Sequence, residues 1–148
     1  AERATQIEAI VSAGIPVMGH LGFTPQSVHS LGGFKVQGRG DKAAQLMQDA
    51  LALEKAGAFA IVLELVPMDI AGEISAALTI PTIGIGAGPK TDGQILVWTD
   101  FAGLSGHKPR KFVKQYAQMR NLLAEAAVSY KNEVETSVFP DEATSFAE

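Results

Sequence analysis

The apolar positions of this chain alternate between helical spacing and short runs that are almost wholly apolar. Helical spacing occurs in four segments, residues 3–13, 41–56, 68–78 and 109–137, the last forming one helix or two. Apolar runs occupy residues 15–22, 58–65, 81–88 and 94–101. Asp41 is placed to act as an N-cap, and glycines at 14 and 57 end the first two helices. Residues 23–40 are rich in glycine and serine and predict a long loop.

Strands that are apolar on both faces are typical of parallel sheets covered by helices, so the pattern predicts an α/β fold. The third and fourth runs are separated only by residues 89–93, whereas a parallel connection usually needs a dozen residues or more. This join is therefore expected to be irregular. Two architectures remain open, a small doubly wound domain and half of a (β/α)8 TIM barrel, a fold that typically takes ~250 residues. Four strands cannot close a parallel barrel, so the second requires a partner half.

Composition narrows the class of protein. A chain of 148 residues can form one domain with a sizeable core, and its net charge of -4 argues against nucleic-acid binding. The absence of cysteine excludes disulfides and fits a cytoplasmic protein. No run of ~18 apolar residues is present that could cross a membrane. The sequence begins without methionine, as if inside a helix, and we expect a piece of a longer protein.

Polar residues and glycines collect near the ends of the four apolar runs. They are His20, Glu64, the glycines at 84, 86 and 88, and Asp100. In parallel α/β folds the carboxyl ends of the strands form the edge where ligands bind. The repetition predicts a binding site at this edge of the sheet.

Glu64 is the sharpest candidate, because a carboxylate in an apolar run is either paired or used chemically. It could close a salt bridge, or it could act as a general base whose pKa an apolar setting raises towards neutrality. His20 could be a satisfied rim residue or part of a site. His29 and His107 are expected to be solvated, and the three histidines lack zinc-ligand spacing.

Two glycine-rich stretches offer weaker hypotheses. The stretch "IGIGAG" is not a dinucleotide fingerprint, because no helix follows it to hold a pyrophosphate. Its glycines are expected to let the backbone approach a ligand or the barrel axis, with a phosphate cradle as the alternative. Residues 32–43 carry Lys35 and Arg39 and could form a mobile lid over an anionic substrate, a plain surface loop or a subunit contact.

Six strings in this order resemble one family: "GHLGFTPQSV", "GGFKVQGRG", "ALALEKAGAF", "VLELVP", "IPTIGIGAGPKTDGQILVWTD" and "FPDEATSF". The family is ketopantoate hydroxymethyltransferase, and the resemblance runs from about residue 15 to the tail. It implies that residues 1–148 are the C-terminal portion of a single TIM barrel, strands five to eight, with a helical segment at about 109–137. An N-terminal half of the same barrel would then be the partner.

The resemblance implies transfer of a hydroxymethyl group from 5,10-methylenetetrahydrofolate to 3-methyl-2-oxobutanoate, giving 2-dehydropantoate for pantothenate synthesis. Glu64 falls on the family's proton acceptor and His20 on a residue that lines the substrate pocket. Magnesium stabilises the enolate, with ligands expected in the N-terminal half and none here. Large homo-oligomers, commonly decamers, are also implied. Thr144 departs from the histidine expected in the tail.

Alternatives from other classes remain. The chain could be a half-barrel domain that binds a small anion or a protein without catalysis. It could also belong to another enolate-forming enzyme, of the phosphoenolpyruvate mutase type.

Overall fold

A computed structural model describes residues 3–147, and the chain divides into two compact units with a boundary between Ile95 and Leu96. The first unit contains helices α1 (Ala4–Ser12), α2 (Lys42–Lys55) and α3 (Met68–Ala77), a 3-10 turn (Pro25–Ser27), and strands β1 (Met18–Gly22), β2 (Ala60–Glu64), β3 (Thr82–Ile85) and β4 (Gly93–Gln94). The second contains α4 (Trp98–Phe101), α5 (Met119–Glu135) and a 3-10 turn (Glu142–Thr144).

The four strands form one sheet in the order β1-β2-β3-β4, and every neighbouring pair is parallel. The predicted α/β class and parallel sheet are therefore confirmed. In the register, His20 lies opposite Val62, and Gly22 lies opposite Glu64. Because all strands run the same way, the ends of β1 and β2 meet at one edge of the sheet, as the sequence predicted.

The hydrophobic core of the first unit lies between the sheet and helices α2 and α3. Ile61 and Leu63 of β2 are fully buried there. Their core partners on the two helices are Leu46, Ala50, Leu53, Ala71 and Ile74. Side chains alternate along a strand, so Ala60, Val62 and Glu64 belong to the opposite face of the sheet. Glu64 is thus held by a strand whose other face is anchored in the core.

The irregular join between β3 and β4 spans residues 86–92 without a helix, as the short spacing predicted. Asp92 fixes its far end, because its Oδ2 accepts hydrogen bonds from the backbone amide of Thr82 at 2.7 Å and the Thr82 hydroxyl at 2.9 Å. These bonds, the amide first, lower the pKa of the Asp92 carboxyl. Lys90 in the same join lies 3.2 Å from Asp69 of α3. The join between β3 and β4 therefore contacts α3 through Lys90 and contains no crossover helix of its own.

A second carboxylate joins α2 to the start of β3. Oε1 of Glu54 accepts hydrogen bonds from the Thr79 amide at 2.6 Å, the Thr79 hydroxyl at 2.8 Å and the Ile80 amide at 3.2 Å. The Thr79 hydroxyl, followed by its amide, lowers the pKa of Glu54. Asp41 does occupy the N-cap position of α2, but its side chain makes no capping hydrogen bond.

The fourth apolar run differs from its prediction as a strand. Only Gly93 and Gln94 pair with β3, and Trp98–Phe101 forms a single helical turn. Ile95 and Trp98 are 53 % and 60 % exposed, so the run is not a buried strand. A short apolar run has no period that distinguishes a strand from a helical turn, and this ambiguity explains the error.

The long C-terminal helix begins at Met119 rather than near residue 109. The amides of Tyr116, Met119 and Arg120 donate to the carbonyls of residues 101, 102 and 103, so residues 109–118 pair with the preceding turn instead of forming helix. The end of α5 at Glu135 agrees with the prediction to within two residues. Among the helices within residues 3–147, none is both long and apolar enough to span a membrane.

Candidate active site

The candidate site lies at the carboxyl ends of β1 and β2, on the sheet face opposite α2 and α3. A Cβ added at Gly19 would lie 2.9 Å from Leu53 of α2, so Gly19 faces the helices. By alternation, the neighbouring His20 faces the other side, where Glu64 also lies. The sequence thus brings its two main candidates onto the same face of adjacent strands.

Nε2 of His20 lies 3.1 Å from Oε2 of Glu64, within hydrogen-bonding distance. The His20 side chain is 34 % exposed, whereas that of Glu64 is 12 % exposed. The carboxylate is therefore largely shielded from water and has a directed partner, while the imidazole still reaches the surface. Such a pair can hold a carboxylate oriented towards a ligand on this face of the sheet.

The backbone after Glu64 is fixed by hydrogen bonds on both sides. Leu65 has a φ of 51°, in the left-handed region that non-glycine residues rarely adopt. In this conformation its amide donates to the carbonyl of Ile85, and its carbonyl accepts from the amide of Gln37. The Glu64 carbonyl accepts from the amide of Phe23 at 2.8 Å. A strained residue beside the candidate base is a feature often found at functional sites.

Gly22 is required by the close approach of β1 to β2. Its φ is +88°, and an added Cβ would lie only 2.1 Å from the carbonyl oxygen of Glu64. Any side chain here would displace the backbone that carries Glu64. The "GHLG" string therefore contributes both His20 and the glycine that lets the strand beside it come close enough.

A cavity of about 810 Å³ lies beside β1, between α1 and α2. Its lining includes Ile7, Met18, His20, Gln45 and Leu53. β1 is an edge strand of the sheet, so this cavity borders an edge without a paired strand among the described residues. His20 is therefore both a lining residue of the edge cavity and the partner of Glu64.

The other predicted edge residues have different roles. Cβ atoms added at Gly84 and Gly88 would meet Thr91 at 2.6 Å and Met68 at 2.2 Å, so these two glycines allow close packing of the join and of α3. Asp100 lies in the helical turn α4, not at the end of a strand, and accepts a hydrogen bond from Ser105. The histidines at 29 and 107 are exposed, as predicted.

The loop with Lys35 and Arg39 is attached to the site rather than free of it. Gln37 donates to Leu65, directly after Glu64, and the Phe34 ring lies 4.5 Å from the Phe23 ring. Lys42, at the start of α2, joins Lys35 and Arg39 around a cavity of about 340 Å³. Sequence analysis did not single out Lys42, although it stands only three residues after Arg39, because the cavity that the three cations share depends on the path of the loop.

The described residues do not fit a metal site of their own. Between residues 3 and 147 no three His, Asp or Glu side chains come together in a way that could hold a metal ion. Thr144, where a histidine was expected, instead bonds with Asp141, and its hydroxyl and then its amide lower the pKa of the Asp141 carboxyl.

The sequence matches one protein family along nearly its whole length. A sequence model of the ketopantoate hydroxymethyltransferase family matches residues 1–142, nearly the whole chain. The chain belongs to the ketopantoate hydroxymethyltransferase family. The resemblance inferred from the six strings is confirmed.

Individual relatives carry the same name, 3-methyl-2-oxobutanoate hydroxymethyltransferase. The protein of Acidothermus cellulolyticus is 59 % identical over 143 residues, which cover 97 % of this chain and 53 % of that protein. The protein of Mycobacterium tuberculosis is 57 % identical, over 97 % of this chain and 51 % of its own length. That of Leifsonia xyli is 57 % identical, over 97 % and 52 %. The chain spans about half the length of the curated relatives it matches.

Proposed function

We propose that this chain is the C-terminal half, strands five to eight, of a (β/α)8 barrel that transfers a hydroxymethyl group to 3-methyl-2-oxobutanoate. The one-carbon donor is 5,10-methylenetetrahydrofolate and the product is 2-dehydropantoate. Family membership and the relatives' names support the reaction. The observation that carries the proposal is the shielded Glu64 carboxylate, paired with His20 at the carboxyl edge of a parallel sheet.

Glu64 serves as the general base. It takes the proton from C3 of the keto acid, and the electron pair of that C–H bond forms the enolate. Water hydrolyses the methylene bridge of the folate, which breaks both carbon–nitrogen bonds, releases the carbon as formaldehyde and leaves tetrahydrofolate. C3 of the enolate attacks the formaldehyde carbon, and the proton held by Glu64 passes to the resulting alkoxide, which becomes the hydroxyl group. A shielded carboxylate suits this work, because water does not compete for its lone pairs and its position is fixed before the substrate arrives.

His20 lines the substrate pocket and orients the base. At 3.1 Å from Oε2 it can donate its Nε2 proton to the carboxylate, which restricts rotation of the Glu64 side chain. With 34 % of its side chain exposed, His20 is also reachable by a ligand on the same sheet face. One residue therefore serves both positioning and substrate contact.

The N-terminal half of the barrel packs against β1. The edge of β1 and the cavity of about 810 Å³ beside it provide the surface for strand four of the complete barrel and the helix that follows that strand. The family resemblance implies that the ligands of a Mg²⁺ ion belong to that half. The complete enzyme, meaning both halves, is a cytoplasmic homo-oligomer, commonly a decamer.

The test is product formation by the complete enzyme. With both 3-methyl-2-oxobutanoate and 5,10-methylenetetrahydrofolate present we expect 2-dehydropantoate, identified by mass spectrometry, and none when either is left out. Turnover of phosphonopyruvate instead would indicate an enzyme of the phosphoenolpyruvate mutase type. No turnover of either substrate by a correctly folded oligomer would support a non-catalytic half-barrel and reject the transferase.

A further inference from the structure

A small basic cavity lies beside the candidate site, apart from the cavity along β1. It has a volume of about 340 Å³, at the lower end of the ~300–1,000 Å³ typical of ligand pockets. Its charged lining residues are Lys35, Arg39 and Lys42, and the remaining lining residues are Leu31, Val36, Gln37 and Gly38. The charged lining residues of this cavity are thus all cations, in a chain whose net charge is -4.

The cavity has a fixed position relative to Glu64. Gln37, in its lining, donates its backbone amide to Leu65 at 2.8 Å, and Leu65 follows Glu64 directly. On the other side, Gly38 has a φ of +78°, and an added Cβ would lie 2.8 Å from Leu46 in the core. The cavity wall is thus attached to the strand that carries the base and packed against the helix behind it.

The three cations are available for an anion. Among residues 3–147, no carboxylate oxygen lies within 4.0 Å of the charged nitrogens of Lys35, Arg39 or Lys42. Lys42 is also the first residue of the 14-residue helix α2, whose N-terminal amides add a partial positive charge. Like charges that line the same cavity repel one another, and a bound anion would relieve that repulsion.

We propose that this cavity binds the γ-glutamyl tail of the reduced folate, a proposal that rests on the proposed function. The two ends of the donor have different chemistry: the ring system carries the transferred carbon, and the tail carries a series of carboxylates. The ring system must lie close to the keto acid for its carbon to be transferred, and the tail must lie elsewhere. Lys and Arg side chains bind carboxylates through charge-assisted hydrogen bonds, and an arginine can do so in a bidentate manner.

The experiment compares mono- and pentaglutamate forms of the folate donor in the complete enzyme. Lys35→Gln and Arg39→Gln should each raise the KM for the pentaglutamate about 2- to 5-fold, and the double variant by roughly 10-fold, the scale of one or two exposed ion pairs. The KM for the monoglutamate should rise less, and the KM for 3-methyl-2-oxobutanoate should not change. Raising ionic strength should reduce the wild-type preference for the pentaglutamate, because salt screens exposed charges.

Lys55→Gln is the matched control, since it removes the same charge from an exposed residue at the other end of α2. It should leave both folate constants unchanged. The tail site would be overturned if Lys35→Gln raised the KM for both folate forms equally. It would also be overturned if Lys55→Gln raised the KM for the pentaglutamate as much as Arg39→Gln does. Either result would leave the proposed transferase activity intact. If the wild type has no activity, equilibrium binding of penta-γ-glutamate tests the cavity by itself. Binding by the wild type that is lost in the double variant would support the cavity as the tail site. No binding by the wild type would reject it.

Discussion

Nε2 of His20 lies 3.1 Å from Oε2 of Glu64, although 44 positions separate the two residues along the chain. Parallel pairing of β1 with β2 brings them together, because Gly22 lies opposite Glu64 and His20 stands two residues earlier on the same face. The hydrogen bond between the two side chains therefore depends on the register of the two strands. A shift of the register by one residue would turn one partner into the helix-packed core.

The first prediction concerns the orientation of the base. His20→Ala in the complete enzyme should lower kcat for hydroxymethyl transfer roughly 10-fold, less than the ~10²–10⁴-fold contribution of an acid–base group itself, because His20 orients the base and does not take the proton. His20→Gln should restore part of the loss, since its amide can donate to the same oxygen. Steady-state kinetics check this. A rise in the keto-acid KM with unchanged kcat would show that His20 only binds substrate.

The second prediction concerns the close approach of β1 and β2. Gly14→Ala should cost about 1–2 kcal/mol of unfolding free energy, because φ is +82° there and nothing lies within 4 Å of an added Cβ. Gly22 has a similar φ, but the Cβ of Gly22→Ala would lie 2.1 Å from the Glu64 carbonyl oxygen. This variant should therefore cost about 1–3 kcal/mol more than Gly14→Ala. Urea unfolding measures both, and equal losses would mean that the strands do not approach this closely.

The third prediction concerns acid stability. Hydrogen bonds lower the pKa values of Asp92 and Glu54 in the folded protein. Both carboxylates therefore stabilise the fold when the pH is above the ordinary pKa of these groups, about 4. This stabilisation is lost as the pH falls through their lower pKa values in the folded protein. Thr82→Val removes the hydroxyl that donates to Asp92 and should cost about 1–3 kcal/mol at pH 7. The difference from wild type should shrink near pH 2.

Asp69→Asn is the control for that measurement. Its salt bridge with Lys90 is exposed on both sides, so the loss should stay within about 1 kcal/mol. Urea unfolding at pH 7 and pH 2 compares the two variants. A Thr82→Val difference that is the same at both pH values would show that the carboxylate of Asp92 is not involved.

The sequence predicted the elements whose apolar pattern faces a core. Helices α1 to α3 and strands β1 to β3 lie within their predicted ranges, since Leu46, Ala50 and Leu53 repeat at helical spacing and pack on the sheet. The fourth run was wrong because Ile95 and Trp98 are apolar but exposed, and an apolar run without a period does not specify its structure.

The site was predicted in its residue types but not in its geometry. Strand ends identified His20 and Glu64, whereas their hydrogen bond depends on register, which the sequence leaves open. Lys42 was missed because the cavity that it shares with Lys35 and Arg39 depends on the path of a glycine-rich loop. The bonds from Thr82 to Asp92 were missed for a similar reason: they depend on how an irregular join folds back.

The most direct test of the account is deuterium exchange at C3 of 3-methyl-2-oxobutanoate, measured by NMR with the complete enzyme and no folate. Glu64→Gln keeps the size of the side chain but removes the base, and should slow exchange by ~10²-fold or more. Glu73→Gln, an exposed residue of α3, should exchange at the wild-type rate. Exchange by Glu64→Gln within a factor of a few of wild type would contradict the assignment of Glu64 as the base.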